Sequence, residues 1–142
     1  MGDRFTFGVT DRGGDVLYLY SHWGGANWDD DLNNAIYKAG VMSKSPDYAN
    51  RIFMSQLIGK NWDSEHSFGF SINDVLDTEY GYVPVVDFKQ GTITFYEYSY
   101  ETELGDALLK LTLLEYLNCK DIYALLHYAQ QQLEEAREDV TV

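Results

Sequence analysis

From Leu17 to Leu32 the chain reads Leu-Tyr-Leu-Tyr-Ser-His-Trp-Gly-Gly-Ala-Asn-Trp-Asp-Asp-Asp-Leu. Two periodicities meet in this stretch. The alternation up to Tyr20 is that of a β-strand, and the residues after Gly24-Gly25 carry the spacing and the acid-rich first turn of a helix. A strand that breaks at paired glycines and restarts as a helix limits the fold to mixed architectures. It also creates one place where backbone N–H groups can face a ligand.

The rest of the chain extends this pattern. Phe5, Phe7 and Val9 alternate with Thr6, Gly8 and Thr10, and Asp11-Arg12-Gly13-Gly14-Asp15 has turn composition, so the chain opens with a β-hairpin. Asn27 or Asp29 can cap a first helix, with Leu32, Ala35, Ile36 and Ala39 as its apolar stripe and Gly40 as its stop. Pro46, with Ser45 as cap, starts a second helix carrying Ala49, Ile52, Phe53 and Leu57, ended by Gly59. Lys60 to Ser67 reads as a loop, Phe68 to Asn73 as a third strand and Asp74 to Gly81 as an acidic loop. Tyr82–Phe88 and Thr92–Tyr98 read as a second hairpin, with Pro84 marking a strand start or a sheet edge. Leu104, Ala107, Leu108, Leu111, Leu114 and Leu117 keep helical period. Asp121 can cap a last helix whose acidic end is solvated.

At 142 residues this is one domain, 1–142. The expected fold is α+β: a mainly antiparallel sheet of about five strands within residues 1–100, helices on one face, and a C-terminal helical segment over 101–142. The net charge of −13 repels phosphate backbones and argues against nucleic-acid binding. No apolar run reaches membrane-span length, the first residues lack a signal-peptide core, and the single Cys119 excludes a disulfide framework. A reducing cytoplasm and no membrane partner are expected.

The corner Ser21, His22, Trp23, Gly24 and Gly25 is the leading site candidate. Trp23 would stack on a planar ring, Ser21 and His22 would hydrogen-bond, and the glycine amides would face a phosphate or carbonyl. The alternative is a tight turn with Trp23 packed in the core. Because Asp29, Asp30 and Asp31 occupy the same helix start, an anion there needs a cation. Arg51 is the candidate, with Asn50 and Ser55 on its helix face. The alternative for Arg51 is an ion pair with a nearby aspartate. Tyr96 and Tyr98, opposite Phe95, form an outer tyrosine row suited to an interface or to cover by the C-terminal helices.

Other chemistry is weakly represented. His22, His66 and His127 are isolated, so no metal site is expected. Asp29-Asp30-Asp31-Leu32-Asn33 lacks the glycine and glutamate of a calcium loop, having Asn34 and Gly40 at those positions. No nucleophile elbow, phosphate-binding loop or dinucleotide motif occurs. Pairs such as His22 with Asp29, Glu65 with His66, or Cys119 with His127 carry no specific signal. No cofactor and no catalytic residue are assigned, and the chain reads as a non-enzyme.

Val16 to Gly25, then Tyr48-Ala49-Asn50-Arg51-Ile52 and Ser55-Gln56-Leu57-Ile58-Gly59, resemble a group of small actinobacteriophage proteins. The similarity continues through Trp62, Gly69-Phe70 and Val85-Val86-Asp87. The resemblance implies action in a host bacterial cytoplasm during infection. It suggests a homo-oligomeric accessory protein that sequesters a small nucleotide-like immune signal. Two alternatives remain: an acidic inhibitor or DNA mimic acting on a host defence protein, and an enzyme degrading such a signal.

Overall fold

The computed structural model describes residues 2–42, 45–65, 67–75, 77–100 and 103–141. Its strands are β1 (Phe5–Thr10), β2 (Val16–Ser21), β3 (Phe68–Ile72), β4 (Tyr82–Asp87), β5 (Thr92–Ser99) and β6 (Glu103–Thr112). Its α-helices are α1 (Trp28–Met42), α2 (Pro46–Ile58), α3 (Leu113–Leu117) and α4 (Ile122–Thr141), with a 3-10 turn at Gly59–Asn61 extending α2. The fold is α+β. The strands form one six-stranded sheet in the order β3-β2-β1-β4-β5-β6. All neighbours are antiparallel except the central pair, β1 and β4, which run parallel.

Alternation divides the sheet into two faces. Phe5, Phe7, Val9, Leu19, Val86, Ile93 and Phe95 point to one face and meet residues of all four helices in a single core. Trp28 sits at its centre with 0% exposure, its indole stacked on Phe5 at 5.2 Å and 7°. Tyr82, Phe95 and Tyr123 meet the same indole edge-on. The opposite face holds a smaller cluster of Tyr18, Val83 and Val85, with Val16, Val75, Tyr96, Tyr98 and Leu104 packed against it.

That outer face is strapped by the connection from β3 to β4, not by the C-terminal helices. The connection must cross β2 and β1, because β3 lies at the sheet edge and β4 beside β1. Thr6 Oγ1 donates to the Asp77 carbonyl at 2.8 Å, Glu79 N–H donates to the Arg4 carbonyl at 3.0 Å, and Tyr100 O–H donates to the Asp77 carboxylate at 2.8 Å. Thr78, within the connection, is buried.

Several expectations are corrected. The run through Leu104, Ala107, Leu108 and Leu111 is the edge strand β6, not a helix. Two register irregularities, between its pairs with Phe95/Tyr96 and Tyr96/Tyr98, insert extra residues into β6. Bulges of this kind break strict alternation, so leucines at helical spacing can pack from a strand. Pairing also satisfies the edge groups β5 would otherwise leave open, which outweighs the helix propensity of leucine. Helix begins only at Leu113, where Thr112 and Glu115 form a reciprocal capping box.

Gly40 does not end α1, which continues to Met42; a glycine without positive φ weakens a helix but does not break it. Pro84 lies within β4, neither at its start nor at a sheet edge. The Tyr98 N–H bond to the Gly81 carbonyl sets the alternation that turns the Pro84 nitrogen toward β1. The ladder with β1 begins only at Val85, so the missing donor interrupts nothing. The second helix behaves as expected, with Ser45 at the N-cap, Pro46 at its start and Gly59 at φ 62° as C-cap. Asp121 caps α4, accepting from Ala124 N–H at 3.1 Å. The exposed end of α4 is held to the sheet by Arg137, paired with Glu97 at 3.0 Å and Asp106 at 3.3 Å.

Candidate functional site

At the end of β2 the chain turns through Ser21, His22, Trp23, Gly24 and Gly25. Asp3 stitches this corner to the start of the chain: its N–H donates to the His22 carbonyl at 2.8 Å, and its carbonyl accepts from Gly25 N–H at 2.9 Å. His22 N–H donates to the Ser67 carbonyl at 2.8 Å. The Gly25 amide is therefore engaged within the protein and does not face a ligand, contrary to expectation. Side chains are excluded at both glycines by close neighbours. A Cβ on Gly24 would strike Ser21 Oγ, and one on Gly25 would strike the Tyr80 ring and the Asp3 carboxylate. Tyr80 O–H donates to that carboxylate at 2.8 Å, and its phenol is pushed up to about 12 by burial first and then by Asp3.

His22 Nδ1 lies 2.7 Å from Tyr20 Oη. Its ring meets Trp23 edge-on at 4.6 Å and 89°. Ser21 is buried, whereas Trp23 is 61% exposed. The expectation that Trp23 packs in the core if the corner is only a turn is thus overturned, because Trp28 takes that place.

The acidic helix start is also used internally. Asp29 Oδ1 accepts from the buried Tyr116 O–H at 2.5 Å. The Asp31 carboxyl is raised above its ordinary value by burial and then by Asp30. Cys119 is half-buried against the main core, and His127 is exposed. His66 lies outside the described residues. Among the described residues no group of three or more His, Cys, Asp or Glu is placed to hold a metal ion, and no helix is long and apolar enough to cross a membrane.

Asn50, Arg51 and Ser55 come together on α2, but not with the corner. Asn50 Nδ2 donates to the Thr10 carbonyl at 3.1 Å, and its buried Oδ1 has no partner among the described residues. Ser55 Oγ accepts from Trp62 Nε1 at 3.4 Å. Arg51 is exposed and makes no ion pair among the described residues; Arg12 pairs with Asp47 instead. Asn50 and Arg51 line a cavity of about 390 Å³ walled by Val9, Leu17, Met54, Trp62 and Phe70, with Asp11 at its rim.

This cavity is one end of a longer trough between β3 and α2 with its 3-10 extension. A hollow of about 270 Å³ shares Trp62 and Phe70 with it, and the next, of about 220 Å³, shares Asn61 and Phe68 with that one. The last hollow is bounded by Ser21, Trp23 and Gly24. The two halves of the expected site therefore lie at opposite ends of one trough. Leu17 marks the Arg51 end and Ser21 the corner end, so about 13 Å of strand separates them. Arg51 and the corner cannot grip one phosphate together, which corrects the single-pocket expectation.

Trp62 and Phe70, the aromatic walls, were not among the expected site residues. In the sequence Trp62 lies in a stretch of loop composition, and Phe70 is one residue of an ordinary strand alternation. Their exposures of 53% and 48% follow from the position of β3 at the sheet edge, where no further strand continues the floor. Compared with known protein families, curated proteins and solved structures, the chain shows no match.

Proposed function

We propose that this protein is a non-enzymatic binder that captures a small nucleotide-like molecule in the Arg51–Trp62 cavity, and so sequesters an immune signal in an infected bacterial cytoplasm. One observation carries the reading. An arginine without an ion-pair partner among the described residues stands at the mouth of an apolar slot bounded by two half-exposed aromatic rings. The two rings meet at 6.3 Å and 55°, so a flat base would stack on the open face of Trp62 rather than between them, and a guanidinium matches a phosphate oxygen pair. Trp62, rather than Trp23, offers the stacking face, and Asn50 adds a polar amide to the cavity lining.

One cation suits a ligand with one phosphate charge. On a surface of net charge −13, a polyphosphate would be repelled more than Arg51 attracts it. Cyclic mononucleotides, whose phosphodiester carries a single charge, are the best-matched class, and a homo-oligomer is the proposed assembly. The test is thermal shift against a panel of these compounds and ADP-ribose derivatives. At a ligand concentration one hundred times Kd, binding stabilises the fold by about 2.7 kcal/mol. Arg51→Ala and Trp62→Ala should each abolish the shift. The absence of a shift across the panel overturns the reading. Recovery of hydrolysed ligand from the heat-denatured complex would establish an enzyme instead.

A further inference from the structure

We propose that the free edge of β3 is a docking strip for an extended segment of a basic partner protein, which adds to Phe68–Ile72 as a seventh strand. Among the described residues, the sheet order leaves the outer side of β3 without a neighbouring strand. The bonds from Asn73 N–H to the Val16 carbonyl and from His22 N–H to the Ser67 carbonyl set the alternation along β2 and β3. Gly69 and Ser71 therefore turn their backbone groups inward, while Phe68, Phe70 and Ile72 present N–H and C=O to the open edge.

The strip has the features that edge strands ordinarily avoid. Its sequence, Phe-Gly-Phe-Ser-Ile, contains no charge and no proline. Phe70 and Ile72 remain 48% and 66% exposed. Protected edges carry lysine, proline or bulges, and β6, at the other edge of this sheet, has both bulges and the charged Asp106 and Lys110. An unguarded edge bordered by exposed apolar side chains is the geometry of strand addition. Backbone bonds supply affinity, and alternate side chains supply specificity.

Charge selects the occupant. Exposed acids flank the neutral strip at both ends, Asp63 and Glu65 before it, Asp74 and Asp15 after it. Asp15 is tied to that end through Asn73, whose Nδ2 donates to its carboxylate at 3.0 Å. On the neighbouring α2 and 3-10 turn, Arg51 and Lys60 provide fewer charges of opposite sign. A second copy of this chain would bring like-charged ends together, whereas lysine or arginine on both sides of a β-prone, apolar-alternating core matches the strip. The added strand lies in the plane of the sheet and the Arg51–Trp62 cavity lies above it on the helix side. Phe70 belongs to both, but Ile72 does not line that cavity, so variants at Ile72 test the edge without touching the cavity.

The probe is a short peptide with a Val-Thr-Val-Thr-Val centre and Lys-Arg at each end, followed by fluorescence anisotropy and by amide hydrogen exchange. Binding should be saturable, protect the Phe70 and Ile72 amides, and weaken steeply with salt. Ile72→Pro removes an outward N–H that no internal bond among the described residues uses, and should weaken binding by about tenfold or more. If that variant loses its native melting transition, Ile72→Lys serves in its place, keeping the backbone donor while adding a guarding cation. The inference is overturned by a probe that does not bind at millimolar concentration, or that binds the variants as well as the native chain. It is also overturned if a probe with glutamate flanks binds equally, or if sedimentation shows a dimer that the edge variants dissolve.

Discussion

Trp28 is the residue on which most of the core converges. Burial of its indole against Phe5, Tyr82 and Phe95 makes Trp28→Ala a cavity substitution that should cost about 3–5 kcal/mol in urea denaturation. Gly25→Ala should also destabilise, because the added methyl meets both Tyr80 and Asp3, and at the same joint Gly25 N–H donates to the Asp3 carbonyl. Tyrosines set the alkaline limit. Tyr80 and Tyr82 are both pushed up to about 12 from 10, burial being the first cause in each, and Tyr116 is raised by burial and then by Asp29. A raised folded pKa means that the fold favours the neutral phenol. The stability this contributes is complete below pH 10 and is lost as pH rises toward 12. Unfolding free energy measured between pH 9 and 12 should therefore fall, and Tyr80→Phe with Tyr116→Phe should flatten that fall. At this scale the sequence was partly legible. The corner's residue types were visible, but which of two tryptophans five positions apart enters the core was not. That choice depends on where the helix axis sits over the sheet, which no local pattern encodes.

Elements show a different balance. The hairpin of β1 and β2, α2 with its proline start and glycine cap, and the capped α4 follow local rules, so each is readable from spacing and caps. β6 is not, because leucines three and four apart satisfy a helical template, and only the vacancy beside β5 makes that run a strand. The trough was unreadable for the same reason. Its two ends belong to elements far apart in sequence, and its aromatic wall depends on β3 being an edge. Local rules still predict local energies. Gly40 sits inside α1 with nothing within 4 Å of an added Cβ, so Gly40→Ala should raise stability by roughly 0.5–1 kcal/mol. Thr112→Ala removes the hydroxyl that accepts from Glu115 N–H at 3.0 Å, and should cost about 1 kcal/mol by the same denaturation assay.

For the whole molecule, charge is the dominant property. At −13 the folded state concentrates repulsion that the unfolded chain spreads out, so added salt should raise Tm in a calorimetric titration from low to moderate ionic strength. The same salt should weaken any basic partner on the β3 edge, which separates self-repulsion from docking by the opposite sign of the two responses. The sheet is also assembled from two antiparallel halves, β3-β2-β1 and β4-β5-β6, joined along the one parallel seam between β1 and β4. Each half comes from one continuous part of the chain, the first with α1 and α2 between β2 and β3, but the seam cannot close until the strap after β3 has been drawn across the outer face. During synthesis β1, which becomes a central strand, therefore waits with an unpaired apolar edge until β4 has been made. The order of chain emergence leaves this middle strand, more than either rim, as the surface a nascent molecule must shield from its neighbours.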